Sequence, residues 1–129
     1  MYISVVTLLV DDIDRAIDFY TNKLGWEKTM DVDMGDDMRW VTVAPKGAQT
    51  SFTLSKGEPG WTPAKADSFN GVIMEVDDVH KTHEQLKKIG IEFTDGPRTE
   101  SWGGWATFKD SEGNEHGLHS PVPAGVSSN

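Results

Sequence analysis

The chain has no cysteine. That absence excludes a disulfide framework, a thiolate nucleophile and a thiolate metal site. Basic residues are also scarce, with 12 Lys and Arg against 21 Asp and Glu and a formal net charge of −9. The excess of acid is even, −4 over residues 1–55 and −5 over residues 56–129. No basic patch or arm survives such a distribution, which argues against a nucleic-acid partner. Long apolar runs are missing too, and nothing approaches the ~20 residues needed to cross a bilayer. The N-terminal Met1-Tyr2-Ile3-Ser4-Val5 lacks the basic stretch and long apolar core of a secretory signal. The expectation is a cytoplasmic protein without membrane contact. An acidic surface keeps such a protein in solution and could also attract a cationic small molecule. With 129 residues, one domain can bury a real core without staples.

What is present is a repeat. Val10-Asp11-Asp12-Ile13 opens a helical pattern that closes at Leu24-Gly25-Trp26-Glu27, and Val76-Asp77-Asp78-Val79 opens another that closes at Ile89-Gly90-Ile91-Glu92. The offset is 66 residues, and it recurs between Gly47 and Gly113. Two copies in a chain of this length mean two supersecondary units, since a solenoid needs at least three. Facing concave copies would enclose a cleft, so function reduces to what lines it.

Residues 2–10 are β-branched and apolar and read as a buried strand. Asp11 or Asp12 can cap the following helix, whose stripe is Ile13, Ala16, Ile17, Tyr20 and Leu24. Trp26–Asp33, Met38–Ala44 and Gln49–Ser55 then read as strands joined by turns at Gly35-Asp36-Asp37 and Pro45-Lys46-Gly47. Module 1 is therefore βαβββ over about residues 1–55. Residues 56–69 have linker composition, and module 2 covers about residues 70–120, with a frayed tail at 121–129. Its strand is Gly71–Val76 and its helix Asp78–Ile89, with Val79, Thr82, His83, Leu86 and Ile89 inward. Strands follow near Ile91–Thr94, Trp102–Lys109 and Asn114–His119, while Arg98 to Ser101 is open between strand and loop.

Alternation assigns the faces. Val6, Leu8 and Val10 pack on the helix, leaving Val5, Thr7 and Leu9 toward the cleft. Val72, Met74 and Val76 do the same in module 2, leaving Gly71, Ile73 and Glu75. With Phe52, Leu54 and Leu118 as core, Ser51, Thr53, Ser55, Glu115, Gly117 and His119 face a ligand. Trp40 and Trp105 share that parity with Thr42 and Thr107, and Trp102 lies beside them near the mouth; Trp26 begins a strand and Trp61 sits in the linker. Aromatic walls with interspersed hydroxyls suit flat amphipathic organic molecules, although the same tryptophans could fill a core or an interface.

The segment Val10-Asp11-Asp12 through Asp18-Phe19-Tyr20, with Leu24-Gly25, Val76-Asp77-Asp78, Gly90, Trp102-Gly103 and Asp110-x-x-Gly113-Asn114, resembles the vicinal oxygen chelate superfamily over residues 4 to about 120. That superfamily groups glyoxalase I, extradiol dioxygenases, fosfomycin-resistance enzymes and bleomycin-resistance proteins. The resemblance implies an α+β fold of two βαβββ modules forming an open eight-stranded barrel with outer helices, commonly in a homodimer. It also implies four metal-ligand positions, at which this chain carries Val5, Thr53, Gly71 and Gly117. Three of those have no donor and the fourth offers only a hydroxyl, so no metal and no cofactor is expected. The histidines do not rebuild a site. His80 and His83 lie on the outer helix, and His116 and His119 point to opposite faces of one strand.

Two readings stay open. One is a metal-independent protein that binds an aromatic or cationic organic compound, as in the bleomycin-resistance branch, through Thr7, Trp40, Thr42, Thr53, Gly71, Ile73, Trp102, Trp105, Thr107, Gly117 and His119. The other is an enzyme of the glyoxalase or dioxygenase type, with a divergent metal site or with acid–base chemistry from His119 and Glu75.

Overall fold

The computed structural model describes residues 1–57 and 69–122. The chain divides into two compact units, Met1–Lys65 and Ala66–Asn129. In the first, β1 (Val5–Leu9) leads to α1 (Ile13–Asp18), a π-helical turn (Phe19–Lys23), and strands β2 (Glu27–Gly35), β3 (Met38–Ala44) and β4 (Ser51–Ser55). In the second, β5 (Phe69–Glu75) leads to α2 (Val79–Lys88) and strands β6 (Phe93–Glu100), β7 (Gly103–Lys109) and β8 (Glu115–Ser120). The class is α+β with the βαβββ order in each unit. The described strands form two separate four-stranded sheets, ordered β1-β4-β3-β2 and β5-β8-β7-β6, and are not hydrogen-bonded into one closed barrel.

The first and last strands of each unit pair in parallel and the remaining pairs are antiparallel. Thr7 sits opposite Thr53 and Leu8 opposite Leu54 in the first sheet. Ile73 sits opposite Gly117 and Met74 opposite Leu118 in the second. The two registers are the same once the repeat is laid over itself. Helix starts repeat as well: the Asp12 carboxylate accepts from Arg15 N, and the Asp78 carboxylate accepts from His80 N and Lys81 N. Such caps satisfy otherwise orphaned amides and contribute about 1 kcal/mol each.

Each helix covers one face of its own sheet. In the first unit Leu8, Val10, Ala16, Phe19, Tyr20, Val41, Val43, Phe52 and Leu54 are buried. The Tyr20 ring meets Phe19, Trp26 and Phe52 at 5.1 to 5.8 Å between centroids. Half-buried Trp26 therefore packs against Tyr20 and Phe52 on the helix side of the sheet. In the second unit the core holds Val79, Ile91, Ala106, Phe108 and Leu118. Gly104 permits α2 to settle on β7, because a Cβ there would stand 2.5 Å from Val79 Cγ1.

Several expectations shift. The strand begins at Val5, not Tyr2, and Met1 to Ser4 are exposed. The helix expected to run to Leu24 changes to π geometry at Phe19, with Leu24 N bonding Phe19 O at 3.1 Å. The wider turn brings adjacent Phe19 and Tyr20 both inward, which a strict 3.6-residue stripe does not anticipate. Ile89 is 46% exposed because the helix ends at Lys88, and Ile91 fills the core position instead. The ambiguous 98–101 stretch is mostly strand: β6 runs to Glu100, with register shifts on either side of Asp95. Trp61 lies outside the described residues.

If this division of core and open face is right, Leu54→Ala should cost about 2–5 kcal/mol, as deletions at fully buried sites do. Ile73→Ala, on an exposed position, should stay within about 0.5 kcal/mol. Urea midpoints of the two variants measure the difference.

Candidate ligand-binding faces

On the second sheet, the face away from α2 is built by alternation along three strands. Phe69 and Ile73 on β5, Trp105 and Thr107 on β7, and Gly117 and His119 on β8 share it. Trp105 is the centre. Its ring meets Phe69 edge-on at 5.5 Å and Trp102 edge-on at 5.9 Å. It also lies directly over Gly117, where a Cβ would stand 2.6 Å from Trp105 Cη2 and 3.1 Å from Phe69 Cε1. Gly117 therefore does not leave an open floor; it makes room for the indole. Gly71, by contrast, has nothing within 4 Å of its Cβ direction and sits at φ +84, where the β5–β8 register shifts. Trp102 is 50% exposed and Ile73 is 54% exposed, so the aromatic cluster has a free apolar rim.

His119 closes one end of the cluster. Its Nδ1 bonds the Glu75 carboxylate, and its Nε2 lies 3.1 Å from the Trp102 carbonyl oxygen. Both partners are acceptors, so the arrangement favours the doubly protonated ring. It lies nearly parallel to the Trp102 indole, with an interplanar angle of 17°. The bond to Glu75 first, and the Trp102 carbonyl second, raise the His119 pKa above its ordinary 6.5. Thr107 is buried, and its hydroxyl is held by Thr94 at 2.6 Å, Thr94 in turn donating to Glu115 at 2.6 Å.

The first sheet has a more polar face away from α1. Trp40 and Thr7 are half-buried there, whereas Thr42 and Thr53 are buried. Thr42 bonds Thr29 at 2.6 Å, the counterpart of the Thr107–Thr94 pair one repeat later. Elsewhere, a groove of about 610 Å³ lies at the β2–β3 hairpin, lined by Asp31, Asp33, Asp36, Asp37 and Arg39. Its central carboxylate is already matched. Arg39 and then Lys28 bond Asp31 and lower its pKa.

A model of the glyoxalase/bleomycin resistance protein/dioxygenase superfamily matches residues 2–117. The chain belongs to that superfamily. It is 34% identical to the Bacillus subtilis (strain 168) protein YetH over 114 residues, 87% of this chain and 92% of that one. Among solved structures it is similar to TnmS3, an antibiotic binding protein from Streptomyces sp. CB03234, with 34% identity and a TM-score of 0.81 over 95% of this chain and 97% of that one. A superfamily member from Sphaerobacter thermophilus DSM 20745 has the same identity and TM-score over 93% and 97% of the two chains.

Metal-dependent members of the superfamily need nitrogen or oxygen donors, and the donor set here does not fit. Val5, Gly71 and Gly117 supply none, and the position over Gly117 is filled by an indole. Among the described residues no group of three or more His, Asp and Glu side chains could hold an ion. On α2, His80 bonds Thr99 and His83 packs its ring on Phe93 at 4.4 Å. Burial first, then the charges of Lys87 and His80, lower the His83 pKa.

Of the residues expected to touch a ligand, the structure gathers Ile73, Trp102, Trp105, Gly117 and His119 on one face. Thr42, Thr53 and Thr107 are buried rather than lining an open surface. Phe69 was not anticipated. It falls at the edge of the linker composition, and only the β5 pairing shows that it joins Trp105. Among the described residues no helix is long and apolar enough to cross a membrane.

The His119 assignment has a pH signature. A raised folded-state pKa means that the pair's contribution is fully present below about 6.5 and is lost as pH rises through the folded value. A proton NMR titration should place the His119 midpoint above 6.5, and Glu75→Gln should bring it back toward 6.5. An unchanged midpoint in Glu75→Gln would show that the carboxylate does not hold the ring.

Proposed function

We propose that the protein is a metal-independent small-molecule-binding protein that holds a flat aromatic organic compound against Trp102 and Trp105. The observation that carries this reading is the Trp105 indole over Gly117. At a position where metal-dependent relatives place a ligand, this chain places an aromatic surface with two further aromatic rings edge-on to it. Indole faces offer large apolar area together with a preference for offset or edge-on partners, each such pair being worth about 0.5–1.5 kcal/mol beyond burial. The 34% identity to an antibiotic binding protein supports the same class of occupant.

Glu75 bonds His119, whose ring stacks on Trp102, so that carboxylate is already engaged. The same pairing argues against His119 as a general base, because both ring nitrogens already face acceptors and neither is free to take a proton from a ligand. Self-association is proposed through the first unit's edge strand β2, where Met30, Val32 and Met34 are exposed beside unpaired backbone.

Tryptophan fluorescence during titration with a panel of aromatic natural-product antibiotics tests the proposal. Trp105→Ala should weaken any binder by roughly tenfold or more, about 1.4 kcal/mol, as loss of a central aromatic anchor does. Trp26→Phe, within the first unit's core, should leave affinity unchanged. Equal affinity in Trp105→Ala and the wild type would remove the aromatic face from the site.

A further inference from the structure

The two units close the equivalent hairpin with different turns. In the first, Gly35 pairs with Met38 across Asp36 and Asp37, both at positive φ, 52 and 62. That is the primed kind of two-residue turn, whose twist matches its strands, so it holds its own shape. In the second, Glu100 pairs with Gly103 across Ser101 and Trp102, and neither of those two residues has a positive φ. The positive φ falls on Gly103 instead, where the backbone runs so close to β8 that a Cβ would stand 2.8 Å from His119 Nε2. This turn lacks the twist that would make it self-supporting, yet it carries the half-exposed Trp102 on which the aromatic face depends.

What ties the turn down is a side chain. His119 Nε2 lies 3.1 Å from the Trp102 carbonyl oxygen, which it can bond only as an N–H donor. Nδ1 faces the Glu75 carboxylate, 2.9 Å from Oε2, so the ring is gripped by β5 at one end and by the turn at the other. The ring is also nearly parallel to the Trp102 indole, with centroids 5.9 Å apart, and that indole meets Trp105 edge-on. In the first unit the residues that pair as Glu75 and His119 do are Leu9 and Ser55, and the Ser55 hydroxyl accepts from Gly57 N at 3.0 Å. The turn that does not hold itself and the pair that holds it occur in the same unit. The pair is partly open to water, with the His119 side chain 27% and that of Glu75 60% exposed. Exposed pairs contribute little to folding, so removing this one reads on the turn rather than on the core.

We propose that His119, oriented by Glu75, is a positioning residue for the ligand-binding face: it fixes the Ser101–Trp102 turn so that the Trp102 indole stands ready beside Trp105 before a ligand arrives. The proposal rests on the reading of that face as the binding site and adds what preorganises it. A surface already held in its bound arrangement loses less freedom on binding, and the saving appears as affinity.

The test follows the tryptophan indole N–H resonances of the full chain by NMR, alone and during titration with 2-naphthol, a flat two-ring aromatic. In the free protein, His119→Phe keeps a flat ring but has no N–H, and it should move the Trp102 resonance toward its random-coil position while Trp105 stays dispersed. His119→Gln, whose amide carries two N–H donors, should keep Trp102 dispersed. His119→Phe should weaken 2-naphthol by roughly threefold to tenfold, and it should cost nothing in a Trp102→Ala background, because a residue that acts through Trp102 has no effect once that indole is gone. An equal loss in both backgrounds would mean that His119 acts on the ligand or the fold directly and would overturn the proposal, as would a Trp102 resonance unchanged in His119→Phe. Either result leaves the aromatic face standing so long as Trp105→Ala still weakens 2-naphthol. Binding as tight in Trp105→Ala as in the wild type, or no indole response to 2-naphthol at all, would overturn the aromatic face itself and the positioning role with it.

Discussion

Parallel pairing of the first strand with the last in each unit is the constraint on which the remaining structure depends. Thr7 opposite Thr53 and Ile73 opposite Gly117 are equivalent registers, and each fixes which side chains turn toward the helix. A slip of one residue would exchange the faces of a whole strand. Leu54 and Leu118 would leave the core, while Thr53 and Gly117 would enter it. The register is held from both ends of the sequence logic, by the buried leucines on one face and by the Asp12 and Asp78 caps that start each helix at the same point after its strand.

With the register fixed, the faces away from the helices can diverge, because they carry little of the core. Unit one keeps hydroxyls there and unit two replaces two of them with Ile73 and Gly117. Loss of the side chain at 117 is what lets Trp105 lie flat on its neighbour strand. The counterpart Trp40 has Thr53, not glycine, on the adjacent strand β4, and the first unit's aromatics gather instead around Tyr20 on the helix side. Two copies of one motif thus present a polar row in one case and an aromatic cluster in the other.

The electrostatics follow a similar division. The chain carries a net charge of −9, and the Glu75 carboxylate beside the aromatic cluster is bonded to His119. A surface of one charge sign opposes association and aids solubility. A repeated Thr–Thr hydrogen bond beside both tryptophan-bearing strands needs a β-bulge in each outer strand to form.

The repeat, the two βαβββ orders, the helix caps and the parity of nearly every strand were legible in the residues, because period, cap chemistry and alternation are local properties. Other features depended on which strands lie side by side. That Trp105 covers Gly117, that Phe69 belongs with it, and that Glu75 bonds His119 are contacts between strands far apart in sequence. The π turn at Phe19 escaped notice because a helical stripe assumes a constant period. The bulges that bring Thr29 onto Thr42 and Thr94 onto Thr107 escaped it because alternation assumes a constant register. The sequence by itself determined the elements and their faces; only the tertiary structure decided which side chains meet, since strand pairing joins residues that no local pattern connects.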